Sequence, residues 1–113
     1  LQTLRDALVA PPRNDLERDG IIQRFEYCVE LSWKTAKKKL EQNAIESDSP
    51  RDIFRTIAKM GWIDDASIWF EFLEARNKTS HMYRQDVANA IFAVVPRFLP
   101  EAEKLLKKIS ELA

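Results

Sequence analysis

Apolar residues recur along most of the chain at steps of three and four, and no segment alternates apolar and polar positions with period two. Because steps of three and four place side chains on one face of an α-helix, the pattern predicts helices throughout. Two stripes are the longest. The first contains Ile22, Phe25, Val29, Trp33, Ala36 and Leu40, and the second contains Ala88, Ile91, Phe92, Val95, Leu99, Ala102, Leu105, Leu106, Ile109 and Leu112.

Prolines and capping residues place the ends of the first two helices. A helix within residues 1–10 has to end before the proline pair that follows it, because proline cannot continue a helix. Asn14 is followed three residues later by Glu17, a spacing typical of a helix N-terminus. The second helix is therefore predicted over residues 15–43.

Ser49 and Pro50 predict the start of a third helix, because serine caps exposed N–H groups and proline suits the first helical position. Gly61 fits the left-handed position that commonly follows a helix C-terminus. Asp64 is the predicted N-cap of the fourth helix, which carries Arg76 near its end.

The last helix is predicted to begin near Gln85, where no strong capping residue marks its start. Its apolar residues keep one phase across Pro96 and Pro100, which two independent helices would have no reason to share. We therefore predict one helix that is kinked by the two prolines. Five helices with short connections predict an all-α, antiparallel up-and-down bundle, and residues 1–113 contain no linker or repeat that would divide this domain.

Gly20 lies inside the predicted second helix, where glycine costs about 1 kcal/mol relative to alanine. Close packing or a cramped first turn would account for it. Trp33, Trp62 and Trp69 have helical spacings and are expected in the core, with a position in a dimer interface as the alternative for one of them.

Composition narrows the class of protein. The chain has 113 residues, 18 basic and 18 acidic side chains, and an isoelectric point of about 6.8, which argues against a protein that coats nucleic acid generally. The single cysteine, Cys28, cannot form an internal disulfide, so a reducing compartment is expected. The longest apolar run has six residues, far short of the roughly 20 that span a bilayer. Together these features predict a cytoplasmic protein.

The only histidine lies in the segment Arg-Asn-Lys-Thr-Ser-His-Met-Tyr at residues 76–83. Histidine can transfer protons in both directions near neutral pH, and arginine presents a fixed fork of donors to phosphate oxygens. In RNA cleavage without metal, a base removes the proton of a ribose 2′-OH and cationic donors stabilise the charge on the phosphate. His81 suits the role of base or acid and Arg76 the role of cationic donor, with Asn77 and Ser80 as supporting residues. We expect no metal or cofactor.

Helix geometry sets a condition on this site. Residues five apart on an unbroken helix differ by about 140° in direction, so Arg76 and His81 would not converge. Either the helix ends near residues 79–80, or a second chain completes the site. The alternative interpretation is structural: a histidine at a helix C-terminus is favoured by the dipole, with Arg76 in a surface ion pair with Glu71 or Glu74.

Four segments carry a family resemblance: RDGIIQRFEY at 18–27, ELSWK at 30–34, SPRD at 49–52 and RNKTSHMY at 76–83. In this order they resemble the nucleotidyltransferase substrate-binding protein family of the HEPN superfamily, over residues 16 to about 106. The resemblance implies a small helical domain encoded beside a minimal nucleotidyltransferase, in a two-gene module that is commonly a toxin–antitoxin pair.

The resemblance also implies roles for three residues. HEPN toxins are dimers in which an arginine–four–histidine motif cleaves RNA without metal, and Arg76 and His81 match that motif. Tyr83 matches a tyrosine that the partner transferase modifies with adenosine monophosphate in some pairs. The family was first described as a nucleotide- or substrate-binding subunit, which is the alternative function. The chain has no glycine–serine signature of a nucleotidyltransferase, so it is not the transferase itself.

Weaker candidates have ordinary explanations. A lysine cluster on the second helix is interpreted as a solvated face with a Glu30–Lys34 pair, and RNA phosphate contact is the alternative. Asp64 and Asp65 are interpreted as a cap with a first-turn acid and not as a metal pair. Polar residues early in the second helix are either surface pairs or the rim of a shared cleft. The lysines are Lys34, Lys37, Lys38 and Lys39, and the polar residues are Arg18, Asp19, Arg24 and Glu26.

Overall fold

A computed structural model describes residues 2–112 of the chain. Within these residues it contains five α-helices and no strand. The helices are α1 (Gln2–Ala7), α2 (Asp15–Gln42), α3 (Pro50–Lys59), α4 (Ala66–Asn77) and α5 (Gln85–Glu111), and a 3-10 turn (Lys78–His81) lies between α4 and α5. The predicted all-α bundle is confirmed, and α2 and α5 are its two longest elements.

The long helices α2 and α5 pack against each other along the bundle, and α4 packs against both. The helix α5 includes Pro96 and Pro100, so the prediction of one helix across both prolines is confirmed. Each proline removes one backbone N–H from the helical ladder, and the kink expected from this loss stays a prediction. In the part of the chain that is described, no helix is long and apolar enough to cross a bilayer.

The centre of the core is aromatic. Trp69 of α4 stacks on Phe54 of α3 with ring centroids 4.9 Å apart, and its edge meets Phe72 at 5.2 Å. Phe98 of α5 closes this cluster and also contacts Phe25 of α2 at 5.1 Å. The apolar stripe predicted for the last helix did not include Phe98, which is fully buried. It included the neighbouring Leu99, which is only half-buried.

Three predicted caps are confirmed. The Asn14 side chain accepts a hydrogen bond from the Glu17 N–H at 2.9 Å at the start of α2. The Ser49 hydroxyl accepts from the Asp52 N–H at 3.2 Å, and Pro50 is the first residue of α3. Gly61 has φ +77° just beyond α3, as its predicted left-handed position requires.

Three predicted boundaries are wrong by one to three residues. The helix α1 ends at Ala7 and not near residue 10, because the residue before a proline is disfavoured in helical geometry and the chain has to leave the helix earlier. The prediction for Leu1 lies outside the described residues. The helix α2 ends at Gln42, with Asn43 as its C-cap. The N-cap of α4 is Asp65 and not Asp64, because the Asp65 carboxylate accepts from the Ser67 N–H at 2.9 Å.

The C-termini of α2 and α3 close in the same way with different residues. After α2, the Ile45 N–H bonds to the Leu40 carbonyl at 2.9 Å, and after α3 the Trp62 N–H bonds to the Ile57 carbonyl at 2.9 Å. This Schellman arrangement needs a left-handed residue between helix and loop. The structure has Gly61 in that position after α3, but Ala44 with φ 59° after α2.

The two left-handed positions predict opposite effects of matched substitutions. Ala44→Gly removes a strained Cβ and is expected to stabilise the chain by about 0.5–1 kcal/mol. Gly61→Ala introduces that strain, although a Cβ there would meet nothing within 4 Å, and is expected to destabilise by about 1 kcal/mol. Urea unfolding measures both, and equal effects of the same sign would contradict the interpretation.

The cap of α4 predicts a pH-dependent difference in stability. Hydrogen bonds from Ser67 lower the pKa of the Asp65 carboxyl. Its contribution is therefore complete above the ordinary aspartate pKa of about 4 and is lost as the pH falls through the lowered value. We expect Asp65→Ala to lower the thermal midpoint at neutral pH and to converge with the parent chain in acid. The matched variant Asp64→Ala should show neither effect.

Candidate functional site

The segment from Arg76 to Tyr83 connects α4 and α5. The α-helix ends at Asn77, and the tighter 3-10 turn carries the chain to His81. Convergence of Arg76 and His81 required the helix to end near residues 79–80. The α-helix ends two to three residues before that point, and His81 lies beyond it in the 3-10 turn. The turn packs against α2, α4 and α5, so three helices fix its position.

Arg76 is bound to α2. Its Nε donates to Glu30 Oε1 at 2.6 Å, and the two side chains are 31% and 26% exposed. The predicted alternative, an ion pair with Glu71 or Glu74, is wrong, because the side chain faces α2 and not the outer surface of its own helix. Glu71 pairs with Arg97 at 3.2 Å, and Glu74 pairs with Lys78 at 3.7 Å.

Thr79 holds the middle of the turn. Its hydroxyl lies 2.8 Å from the Arg76 carbonyl oxygen and also contacts Glu26 Oε2 on α2. Glu26 and Glu30 are one helical turn apart on α2, so they lie on the same face of that helix. Two carboxylates of one rigid helix therefore hold the arginine side chain and the turn that follows it.

His81 and Tyr83 are exposed on either side of a residue that points inward. Their rings meet edge to face with centroids 6.3 Å apart, and Tyr83 is 79% exposed. The half-buried Met82 between them packs against the hydrophobic core. His81 is exposed, and across residues 2–112 its imidazole has no hydrogen-bond partner.

The structure brings together some of the predicted site residues and not others. Arg76 is joined to Glu30, and His81 to Tyr83, but no hydrogen bond links Arg76 with His81 in the described part of the chain. The side chains of Asn77 and Ser80 are exposed and form no hydrogen bond with either of them within residues 2–112. A phosphate group between Arg76 and His81, or a second copy of the turn, would have to join these two parts.

The polar residues early in α2 have different roles. Arg18 is only 7% exposed, and its guanidinium bonds to Asp19 at 3.1 Å and to Gln85 at 2.7 Å and Asn89 at 3.1 Å on α5. This buried cation joins the starts of α2 and α5 and is structural. Arg24 folds back on the Gly20 carbonyl at 3.2 Å. Of the four residues predicted as a possible rim, Glu26 is the one that contacts the turn.

Glu30 contacts the candidate site in a way that the sequence analysis did not predict. The predicted Glu30–Lys34 pair exists, with Nζ 3.9 Å from Oε2, but the shorter contact of this carboxylate is with Arg76. A signal was present in the sequence, since Glu26 and Glu30 are one turn apart between residues of the buried stripe. Lys34 and Arg76 thus flank one carboxylate, whereas Lys39 bonds to the Leu112 carbonyl at 3.1 Å and does not belong to this cluster.

The outer face of α2 carries several exposed apolar residues, with Gln23 and Arg24 beside them. Leu16, Tyr27 and Leu31 are 82%, 65% and 42% exposed, and Gly20 lies between them. A Cβ on Gly20 would meet only the end of the Arg24 side chain at 3.5 Å, so close packing, one of the two explanations offered for this glycine, is not found within residues 2–112. A groove of about 550 Å³ runs from the Pro11 loop along Leu16 and Gly20.

Other predicted sites remain structural. Trp62 and Trp69 are buried as expected, while Trp33 is half-buried and lies beside Lys34. Burial raises the pKa of the Cys28 thiol, so this cysteine is inert near neutral pH. Within residues 2–112 no group of three or more metal-ligating side chains occurs.

These features define a class of protein: a small helical bundle that presents an arginine–four–histidine turn at the junction of its last two helices. The chain belongs to the family described as nucleotidyltransferase substrate binding protein like, whose profile matches residues 1–111.

Known proteins agree with this assignment. The chain is 39% identical over 97 residues to a Haemophilus influenzae protein named probable ribonuclease HepT, covering 81% of this chain and 66% of that protein, just under two thirds. A structure from Haemophilus influenzae, described as the fold of a substrate binding domain of a nucleotidyltransferase, superposes with a TM-score of 0.88 at 32% identity, covering 97% of this chain and 93% of the other. A Thermus thermophilus structure gives 0.88 at 30% identity, with 96% and 93% covered.

Proposed function

We propose that this chain is the HEPN-type subunit of a two-gene nucleotidyltransferase module and acts as a dimeric, metal-independent endoribonuclease. The observation that carries the proposal is the turn itself: Arg76 is held by a carboxylate while His81 stands exposed with no hydrogen-bond partner among residues 2–112. A structural histidine would be expected to have a partner. The relative named as a ribonuclease supports the same activity.

The reaction needs a base, an acid and a cation. His81 removes the proton of the 2′-OH, the 2′-oxygen bonds to phosphorus, and the bond from phosphorus to the 5′-oxygen breaks. The leaving oxygen takes a proton from a second imidazole, which the partner subunit's His81 would supply. Arg76 stabilises the negative charge on the non-bridging oxygens. The products are a 2′,3′-cyclic phosphate and a 5′-hydroxyl, so no metal or cofactor is required.

The outer face of α2 supports a homodimer. The gaps between Leu16, Gly20, Tyr27 and Leu31 are four, seven and four residues, so the spacing of the stripe is the same when counted from either end. A two-fold axis near residues 23–24 would place Leu16 against Leu31 of the partner subunit and Tyr27 over Gly20 of the partner subunit. Such self-complementarity is what a symmetric dimer requires. It would also give Gly20 the close approach that the single chain lacks.

The same pairing would bring two turns to one groove. On an ideal helix the row of Glu26 and Glu30 lies about 90° around α2 from the centre of the apolar stripe. A two-fold axis perpendicular to antiparallel α2 helices keeps corresponding flanks on the same side of the dimer. Both copies of the Arg76–His81 turn would therefore border one cleft, where a single phosphodiester could contact residues of each.

Tyr83 is the proposed off-switch. Its ring is 79% exposed and lies beside His81, so a partner transferase could reach the hydroxyl without unfolding the turn. Addition of adenosine monophosphate would place bulk and negative charge at the cleft, in competition with RNA for Arg76. The family assignment supports the partnership with a nucleotidyltransferase, and a toxin–antitoxin relationship would follow from this switch.

The alternative function is a non-catalytic subunit that binds a nucleotide or another substrate for the partner nucleotidyltransferase. The family description and the related structure of a substrate binding domain favour it. In that case Arg76 and His81 would hold phosphate without breaking a bond.

Substitution of the histidine separates the two functions. We expect His81→Ala to lower the cleavage rate of RNA by at least about a hundredfold, because the proton-transfer group is lost, while the thermal midpoint stays unchanged. End-labelled RNA and identification of cyclic phosphate ends measure the effect. Equal cleavage by both chains would reject the catalytic role of His81, and nucleotide binding seen by calorimetry without cleavage by the parent chain would support the alternative.

Disruption of the α2 face tests the dimer. We expect Tyr27→Asp to shift the chain from dimer to monomer in sedimentation equilibrium and to reduce cleavage, since a charge would be buried between the two helices. Met60→Asp is the matched control, because Met60 is also an exposed apolar residue, 40% exposed, but lies at the end of α3. A dimer that withstands Tyr27→Asp would place the interface elsewhere.

A further inference from the structure

We propose that Glu30 is a positioning residue for the candidate reaction: it holds Arg76 through Nε and thereby leaves the two Nη groups of the guanidinium for the scissile phosphate. This inference rests on the proposed function and adds a residue of α2 to the site. Glu30 itself would not contact RNA.

The geometry of the pair carries the inference. A guanidinium has five N–H donors, one on Nε and four on the two Nη atoms. The Nε donor is used by Glu30 at 2.6 Å, a short contact between a charged donor and a charged acceptor. No hydrogen bond from the Nη donors to another group is seen within residues 2–112. Since two parallel N–H groups match two oxygens of a phosphate, the free Nη1–Nη2 edge is a preformed phosphate fork.

The position of Glu30 in the fold makes it a suitable anchor. It lies in the middle of the 28-residue helix α2, one turn from Glu26, which contacts Thr79. The same rigid helix therefore fixes the arginine and the turn that carries His81. A long arginine side chain has several rotatable bonds, and its immobilisation before the substrate binds lowers the entropic cost of reaching the reactive geometry.

The charge of Glu30 distinguishes positioning from simple attraction. A carboxylate between Arg76 and Lys34 cancels one of two positive charges at a site proposed to bind a polyanion. If the role of the cluster were only to attract RNA, this carboxylate would weaken it. The Glu30 carboxylate lies 2.6 Å from Arg76 Nε. This position is explained if the orientation of the guanidinium is more important for the reaction than the net positive charge of the site.

Two substitutions of Glu30 separate direction from charge. Glu30→Ala frees the guanidinium, and we expect kcat for RNA cleavage to fall by about ten- to a hundredfold. Glu30→Gln keeps an oxygen acceptor for Nε but removes the negative charge. We expect it to recover most of the lost kcat and to lower KM by about two- to fivefold, because RNA meets one more uncompensated cation.

The matched control is Glu71→Ala, which removes another glutamate that pairs with an arginine between two helices, Glu71 with Arg97 at 3.2 Å. This pair lies outside the turn, so kcat and KM should not change. If Glu30→Gln lost as much kcat as Glu30→Ala, or if Glu71→Ala produced the same loss, Glu30 would not be a positioning residue. Equal thermal midpoints of all variants would show that the loss is not unfolding.

A spectroscopic measurement tests the positioning without any cleavage. We expect the Arg76 Nε–H signal in ¹⁵N NMR to exchange slowly with water in the parent chain, and to stay in place when inorganic phosphate is added, because Glu30 keeps it. In Glu30→Ala the signal should exchange fast. Arg97 is the internal reference, since it bonds to Glu71 through Nη1 and not Nε.

The two kinds of failure are distinguishable. Fast exchange of the Arg76 Nε–H in the parent chain would overturn the positioning role whether or not RNA is cleaved. Slow exchange together with no cleavage by the parent chain would reject the nuclease function and leave Glu30 as the residue that orients Arg76 toward a bound phosphate.

Discussion

The site depends on one contact, the ion pair between Glu30 on α2 and Arg76 at the end of α4. The residues are 46 positions apart in the sequence, so the bundle has to be assembled before the pair can form. The aromatic cluster around Trp69 fixes the distance between α3, α4 and α5, and the buried Arg18 fixes the start of α5 against α2. The core and the ionic network thus set the position of a turn that has little internal structure of its own.

The sequence predicted most of the fold because the fold depends on local signals. Caps such as Asn14 and Ser49 act within three residues, and a stripe at steps of three and four identifies the buried face of a helix. The errors are also local. Asp64 and Asp65 offer the same side chain one position apart, and only the backbone geometry selects the second.

The candidate site was predictable only in part, because it depends on a contact between residues that are far apart in the sequence. The lone histidine and the arginine five residues before it identify a short segment, but the partner of Arg76 lies on another helix. No spacing rule connects Glu30 to Arg76, whereas a four-residue rule connects it to Lys34. Sequence periodicity therefore found a real pair and missed the shorter contact. Close packing, one of the two explanations for Gly20, is likewise not found, since its surroundings are open within the described chain.

The inward position of Met82 has a consequence for regulation. Because Met82 packs against the core, the flanking side chains of His81 and Tyr83 lie on the exposed side of the turn. A group attached to the tyrosine would have to remain in solvent, and the turn could not absorb it by refolding. Its attachment and removal would then alter access to the imidazole while leaving the free energy of folding nearly untouched, which is what a reversible covalent switch requires.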